Sequence, residues 1–190
     1  MCIRDSGSTL VLGAGVGRES IVLAQRGSHV IGLDINHEAL RLAAHTAQAK
    51  SLDVAFIQAN FLALPIVPRQ MDSIFLSGIM YSSVPGRQAR QAWLRNLSTH
   101  MKIGGVAVVS FLIDRTRKSY ASRLAHRLSI CLARLPGANT TYQHGDQFSG
   151  GHFLHAFLSE EELRSELTET GATILDLNWE RQFVILTWPR

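Results

Sequence analysis

Short apolar runs alternate with stretches of helical spacing along most of this chain. Five runs read as buried strands: Thr9 to Leu12, His29 to Leu33, Val54 to Ala59, Met71 to Leu76 and Val106 to Leu112. Arg18 to Arg26 follows the first with a helical pattern. His37 to Lys50 follows the second and sets Leu40, Ala43, Ala44 and Ala47 on one face. Pro85 to Met101 follows the fourth with a stripe of Ala89, Ala92, Trp93, Leu97 and Met101. Gly104-Gly105 is expected to end that helix and turn the chain into the next strand. Pro65 and Pro68 leave room for at most a turn of helix between the third and fourth strands. Strands alternating with helices imply a parallel sheet covered on both faces, and right-handed crossovers make it doubly wound.

The alternation fails at the end of the chain. Ser159 to Thr170 reads as a helix with Ser159 as N-cap, Glu162 completing a capping box and Gly171 closing it. The runs Ala172 to Trp179 and Gln182 to Trp188 are joined only by Glu180 and Arg181, a link too short for a parallel crossover. The expected fold is therefore α/β, mostly parallel, ending in an antiparallel hairpin.

Asp114 to Leu135 interrupts the plan. Tyr120, Leu124, Leu128, Cys131, Leu132 and Leu135 form an apolar stripe, with Arg123 and Arg127 on the opposite face, turned toward solvent or an anionic substrate. This insertion holds six Arg or Lys against one Asp, so much of the net charge of +4 is local. Gly137 to Gly151 is rich in Gly, Asn, Thr and Gln and reads as a loop. Met1 to Ser6 resembles the translation of a sequencing adapter, and the authentic sequence is expected to begin near Gly7 as a single domain from 7 to 190, truncated at its amino end.

Composition narrows the class. At 46% hydrophobic and 18% charged residues the chain suits a folded protein rather than a disordered one. No apolar run approaches the roughly 20 residues that cross a bilayer as a helix. Cys2 and Cys131 fit neither a disulfide framework nor a metal-ligand pattern. The expectation is a cytoplasmic protein without structural metal or transmembrane segment.

The strongest chemical signal is Leu10-Val11-Leu12-Gly13-Ala14-Gly15-Val16-Gly17-Arg18-Glu19, where a strand meets a glycine-rich turn and a helix begins at once. Glycines allow the turn and a close ligand approach, and the exposed amides at the helix start favour electronegative groups. Asp34 ends the second strand, where a carboxylate can accept hydrogen bonds from ribose hydroxyls. Dinucleotide enzymes want G-x-G-x-x-G/A. Here the last position is Arg18, whose bulk is expected to obstruct helix–strand packing.

The G-x-G-x-G form, Gly13, Gly15 and Gly17, instead resembles the first motif of class I S-adenosylmethionine-dependent methyltransferases, and the resemblance runs along nearly the whole chain. It implies a Rossmann-like, seven-stranded sheet whose last strand is antiparallel. It implies that Gly13, Ala14, Gly15 and Gly17 hold the methyl donor, Asp34 its ribose, and Ile35, Asn60 and Phe61 its adenine. Ser77, Gly78 and Ile79, at the carboxyl end of the fourth strand, complete the implied site. Val11 departs from the pattern, since the family often has an acidic residue there. The implied activity is methyl transfer to an oxygen, nitrogen or carbon nucleophile, with a small-molecule substrate and no nucleic-acid partner expected. A nicotinamide-dependent oxidoreductase and a non-catalytic nucleotide-binding module are the alternatives. Candidates for proton handling are Tyr81, His144, Asp146, His152 and His155, with His155 and Tyr81 carried forward as catalytic. His155 lies in an extended His-x-Phe segment similar to one in the family, and a structural histidine explains it as well.

Overall fold

A computed structural model describes residues 7–76, 78–114, 143–149 and 151–189. The adapter-like start, most of the basic insertion, including Arg123 and Arg127, and Ser77 lie outside the described residues.

The described elements are β1 (Ser8–Leu12), α1 (Arg18–Ala24), β2 (His29–Asp34), α2 (His37–Ala49), β3 (Val54–Gln58), β4 (Met71–Leu76), a 3-10 turn (Tyr81–Ser83), α3 (Arg87–Thr99), β5 (Met101–Ser110), β6 (Leu112–Ile113), β7 (Asp146–Ser149), β8 (His152–Phe157), α4 (Glu160–Thr168), β9 (Thr173–Asn178) and β10 (Phe183–Thr187). The main sheet has seven strands in the order β3-β2-β1-β4-β5-β10-β9. β1 to β5 are parallel, and β10 runs antiparallel to both β5 and β9; the short Glu180-Arg181 link requires the second of these pairings.

Side chains of the central strands alternate between two covered faces. Leu10 and Leu12 of β1 enter the larger core with Trp93, Leu94 and Leu97 of α3 and Leu163 and Leu167 of α4. Val11 enters the smaller core on the other face with Leu23 of α1 and Leu40 of α2. Burial on both sides explains why β1 reads as a continuous apolar run. Asn36 caps α2 by accepting the Ala39 amide at 3.1 Å. Ser159 caps α4 through the Glu162 amide at 3.2 Å, while the Glu162 carboxylate reaches back to the Leu158 amide at 2.9 Å.

Four expectations are corrected. Gly104-Gly105 lies inside β5, which starts at Met101. Met101 faces Met71 and Val106 faces Ser73, so β5 bulges there, with Gly104 at φ +75°. A side chain on Gly105 would stand 3.0 Å from the Asp72 carbonyl oxygen, which is why the bulge needs glycine. On α2, Ala44 is exposed while Leu40, Ala43 and Ala47 are buried. On α3, Ala89 and Ala92 are exposed, and Arg90 and Gln91 are buried with Trp93, Leu94 and Leu97. Finally, part of the expected loop from Gly137 to Gly151 is the strand β7. It pairs antiparallel with β8, which pairs with β6, to form a second sheet of three strands.

Candidate functional site

The chain runs from β1 outward to β2 and β3, then crosses to the other side of β1 to make β4. That reversal opens a crevice at the carboxyl ends of β1 and β4, the place where open α/β sheets bind ligands. A cleft of about 460 Å³ occupies it, within the ordinary range of small-molecule sites.

The glycine turn forms one side. Gly13, Gly15 and Gly17 have φ of 72°, 51° and 82°, all in the left-handed region. The Gly13 and Ala14 amides bind the Leu33 carbonyl at 2.8 and 3.0 Å, so the turn is tied to the end of β2. Asp34 tightens the same joint. One carboxylate oxygen accepts the Gly15 amide at 2.8 Å and the other the Asn36 amide at 2.9 Å. Each oxygen keeps a further lone pair, so Asp34 is held in place and still able to accept from a hydroxyl.

Five of the expected residues line the cleft together: Gly13, Asp34, Ile35, Asn60 and Phe61. Ile35 is 67% exposed, an apolar side chain set beside a polar carboxylate at the rim. Asn60 accepts the Leu62 amide at 2.9 Å through its side-chain oxygen and turns the chain after β3. The Phe61 ring packs edge-on against Trp93 at 5.6 Å, and the Phe61 carbonyl accepts the Trp93 indole N–H at 3.0 Å. Phe61 thus serves the core and the wall at once.

The other expected residues stand behind or beside the cleft. Ala14 is buried, Gly15 gives its amide to Asp34, and Gly17 is the helix-start position against α2. Gly78 and Ile79 sit past β4 without lining the cleft, and Ser77 lies outside the described residues. The place that reading assigned to them is taken by Met80 and Ser83, carried inward by a turn at Gly78 with φ +58°. His152, one of the candidates for proton handling, lines the cleft from the β7–β8 hairpin, and Leu33, Ala59 and Leu62 complete the lining. Val11 is fully buried between the parallel neighbours Gly32 and Phe75, so it takes no part in the wall.

Arg18 needs a correction. Its side chain is 83% exposed and paired with Glu19, so it obstructs nothing. The close approach is at Gly17, where an added Cβ would meet Ala43 Cβ at 2.8 Å and Phe56 Cζ at 3.2 Å.

Tyr81 and His155 lie in a buried polar layer beside the cleft. Neither lines it. Both are fully buried. The Tyr81 hydroxyl donates to Glu166, and burial, then the Glu166 carboxylate, hold it well above the ordinary phenol range. Tyr81 is therefore a protonated donor. Arg90 binds the same carboxylate with two hydrogen bonds of 2.7 and 2.8 Å. Asp146 lies 2.7 Å from Nδ1 of His155, and Glu162 lies 3.7 Å from Nε2, an ion-pair distance rather than a hydrogen bond. Burial disfavours the charged ring, but the contacts with Asp146 and Glu162 outweigh it and raise His155 above its ordinary 6.5.

A raised basic group stabilises the fold fully below its unfolded value and loses that contribution as pH rises through the folded value. Stability should therefore decline above about pH 6.5, and His155→Gln should flatten that decline. Denaturant unfolding at several pH values checks this; an unchanged slope would contradict it. Glu162 is lowered despite burial, through His155 and the Leu158 amide, and its contribution is lost only toward acid.

Residues 10–105 match the family described as "Methyltransferase domain". A 53-residue stretch is 42% identical to the 23S rRNA (uracil(747)-C(5))-methyltransferase of Pyrococcus abyssi, over 28% of this chain and 13% of that protein. The chain thus spans a small fraction of that curated relative. Among solved structures, a SAM-dependent methyltransferase of Methanosarcina mazei superposes with a TM-score of 0.71 at 20% identity, over 99% of this chain and 95% of that one. The Burkholderia thailandensis 1,6-didemethyltoxoflavin-N1-methyltransferase, solved with 1,6-didemethyltoxoflavin and S-adenosylhomocysteine, gives 0.70 at 16% identity, over 98% of this chain and 72% of that one. The structural likenesses establish the fold, and the sequence match establishes the kinship: this chain belongs to the methyltransferase domain family, built on the class I Rossmann-like sheet.

Proposed function

We propose that the protein transfers a methyl group from S-adenosylmethionine to a nucleophilic oxygen, nitrogen or carbon of a small molecule. The observation that carries this reading is the joint at Asp34, a carboxylate fixed by the Gly15 and Asn36 amides and facing a cleft with Ile35 and Asn60. The fit to the donor is chemical. Asp34 offers acceptors to ribose hydroxyls, Ile35 offers an exposed apolar surface to a flat base, and Asn60 offers an amide to its polar edge. A sulfonium methyl is already activated when bound. The protein's own residues then need only bind, orient and keep water away from the reacting atoms. The cleft volume and the small-molecule ligand of the Burkholderia relative support a small acceptor.

Tyr81 and His155 take positioning roles in this reading. Tyr81 keeps its proton in a hydrogen bond to Glu166, and the His155 ring is enclosed. We place the activity in the cytoplasm, in keeping with cysteines that fit no disulfide framework. Among the described residues, no helix is long and apolar enough to cross a membrane.

Asp34→Ala should weaken S-adenosylhomocysteine binding by about 1–3 kcal/mol, the scale for hydrogen bonds to a charged group. Calorimetry on the folded variant checks it, and unchanged affinity would remove Asp34 from the site. Screening metabolites for label taken up from methyl-labelled donor tests the transfer itself. Label in no small molecule but in RNA would overturn the choice of acceptor.

A further inference from the structure

The cleft has two ends. Ile35, Asn60 and Phe61 stand at the ends of β2 and β3, and Asp34 stands beside them. On the reading proposed above, the adenosine part lies there. The remainder of the donor must then extend past Gly13 toward β4, across the point where the sheet reverses direction. Met80 and Ser83, which follow β4, line the cleft, as does His152 of β8, the strand packed along their turn. Met80 abuts Gly13: a Cβ added to Gly13 would stand 2.7 Å from its sulfur. Ser83 donates its hydroxyl to the Met80 carbonyl at 2.7 Å. Neither side chain exchanges protons near neutral pH. Asp34 and His152 are the titratable side chains among the described lining residues, and Asp34 is committed to two amides at the far end.

His152 is exposed and begins β8, the strand that packs along the Tyr81–Ser83 turn. The hairpin carrying it is pinned from below. Asp146 of β7 and His155 of β8 pair across the two strands, with Asp146 2.7 Å from the ring. The Phe148 and Phe153 rings meet edge-on at 6.1 Å.

We propose that His152 faces the transferred methyl group and is the side chain that meets the acceptor. This inference rests on the proposed use of S-adenosylmethionine. For a nucleophile that bears a proton, its lone pair forms the new bond to the methyl carbon and the carbon–sulfur pair returns to sulfur. The proton passes to an imidazole nitrogen and from there to water, to which the exposed ring is open. Imidazole suits that step because a ring nitrogen can accept a proton and pass it on.

The test uses charge as a ruler. S-adenosylmethionine carries a positive sulfonium where S-adenosylhomocysteine carries a neutral sulfur, and apart from the methyl group that makes that charge the two are alike. His152→Glu should tighten the first relative to the second by about threefold or more, and His152→Lys should shift the ratio the opposite way, since unit charges a few ångströms apart interact measurably even through water. His152→Gln should leave the ratio nearly as in wild type. A general structural disturbance would move both affinities together and leave the ratio fixed. Opposite shifts for Glu and Lys support the placement. Unchanged ratios in both variants, with both ligands still bound, overturn it. If wild type binds neither ligand, the cofactor assignment itself fails, and the proposal falls with it.

Discussion

Glu166→Gln should destabilise the fold by about 3–5 kcal/mol, the usual cost of leaving one member of a buried ion pair without its partner. The side chains of Arg90 and Glu166 are each about 1% exposed. The carboxylate takes two hydrogen bonds from the guanidinium and one from Tyr81. Glutamine keeps the shape but removes the charge, so the guanidinium remains buried without a counter-ion. For a chain of this size the loss corresponds to a fall of roughly 6–20 °C in melting temperature. Replacing Arg90 and Glu166 together with Met and Leu should recover much of it, because the burial cost of both charges disappears. A melting curve for Glu166→Gln within a degree or two of wild type would show that the pair does not bind as described. The consequence reaches the cleft, since Tyr81 opens the turn that carries Ser83 to the wall.

Gly17→Ala should cost about 2–4 kcal/mol, from two separate causes. A left-handed backbone is unfavourable for any residue with a Cβ, and Gly17 has φ 82°. The new methyl would also press on Ala43 and Phe56 at 2.8 and 3.2 Å, and overpacking of this kind has its own penalty. The same change should weaken donor binding, because relief of the clash requires α1 to move off α2 and takes the Gly13–Gly15 turn with it. Denaturant unfolding checks the first effect and calorimetry the second. Full stability in the variant would mean that the turn adopts another conformation.

Much of this was legible along the chain. Strand and helix succession, the terminal hairpin, the glycine turn and Asp34 follow from local pattern, since each depends on neighbours in sequence. The elements that stayed hidden depend on partners far away. Arg90 looks like a solvent residue on its own helix, and it is the carboxylate of Glu166, 76 positions later, that balances its buried charge. The bulge at Gly104-Gly105 is set by β4, and a glycine pair after a helix reads equally well as a stop. β7 is short and polar, and its pairing with β8 is what makes it a strand. Met80 and Ser83 were missed by a few residues because the left-handed turn at Gly78 moves the wall downstream of the strand end. His152 carried no signal that set it apart from the neighbouring His144 and His155, and only the hairpin brings it to the cleft.

Titration calorimetry of the folded protein with S-adenosylhomocysteine tests the central claim most directly. The account predicts saturable binding in the micromolar range, displacement by S-adenosylmethionine, and no appreciable heat from NAD. Micromolar binding of NAD with no response to S-adenosylhomocysteine would contradict it.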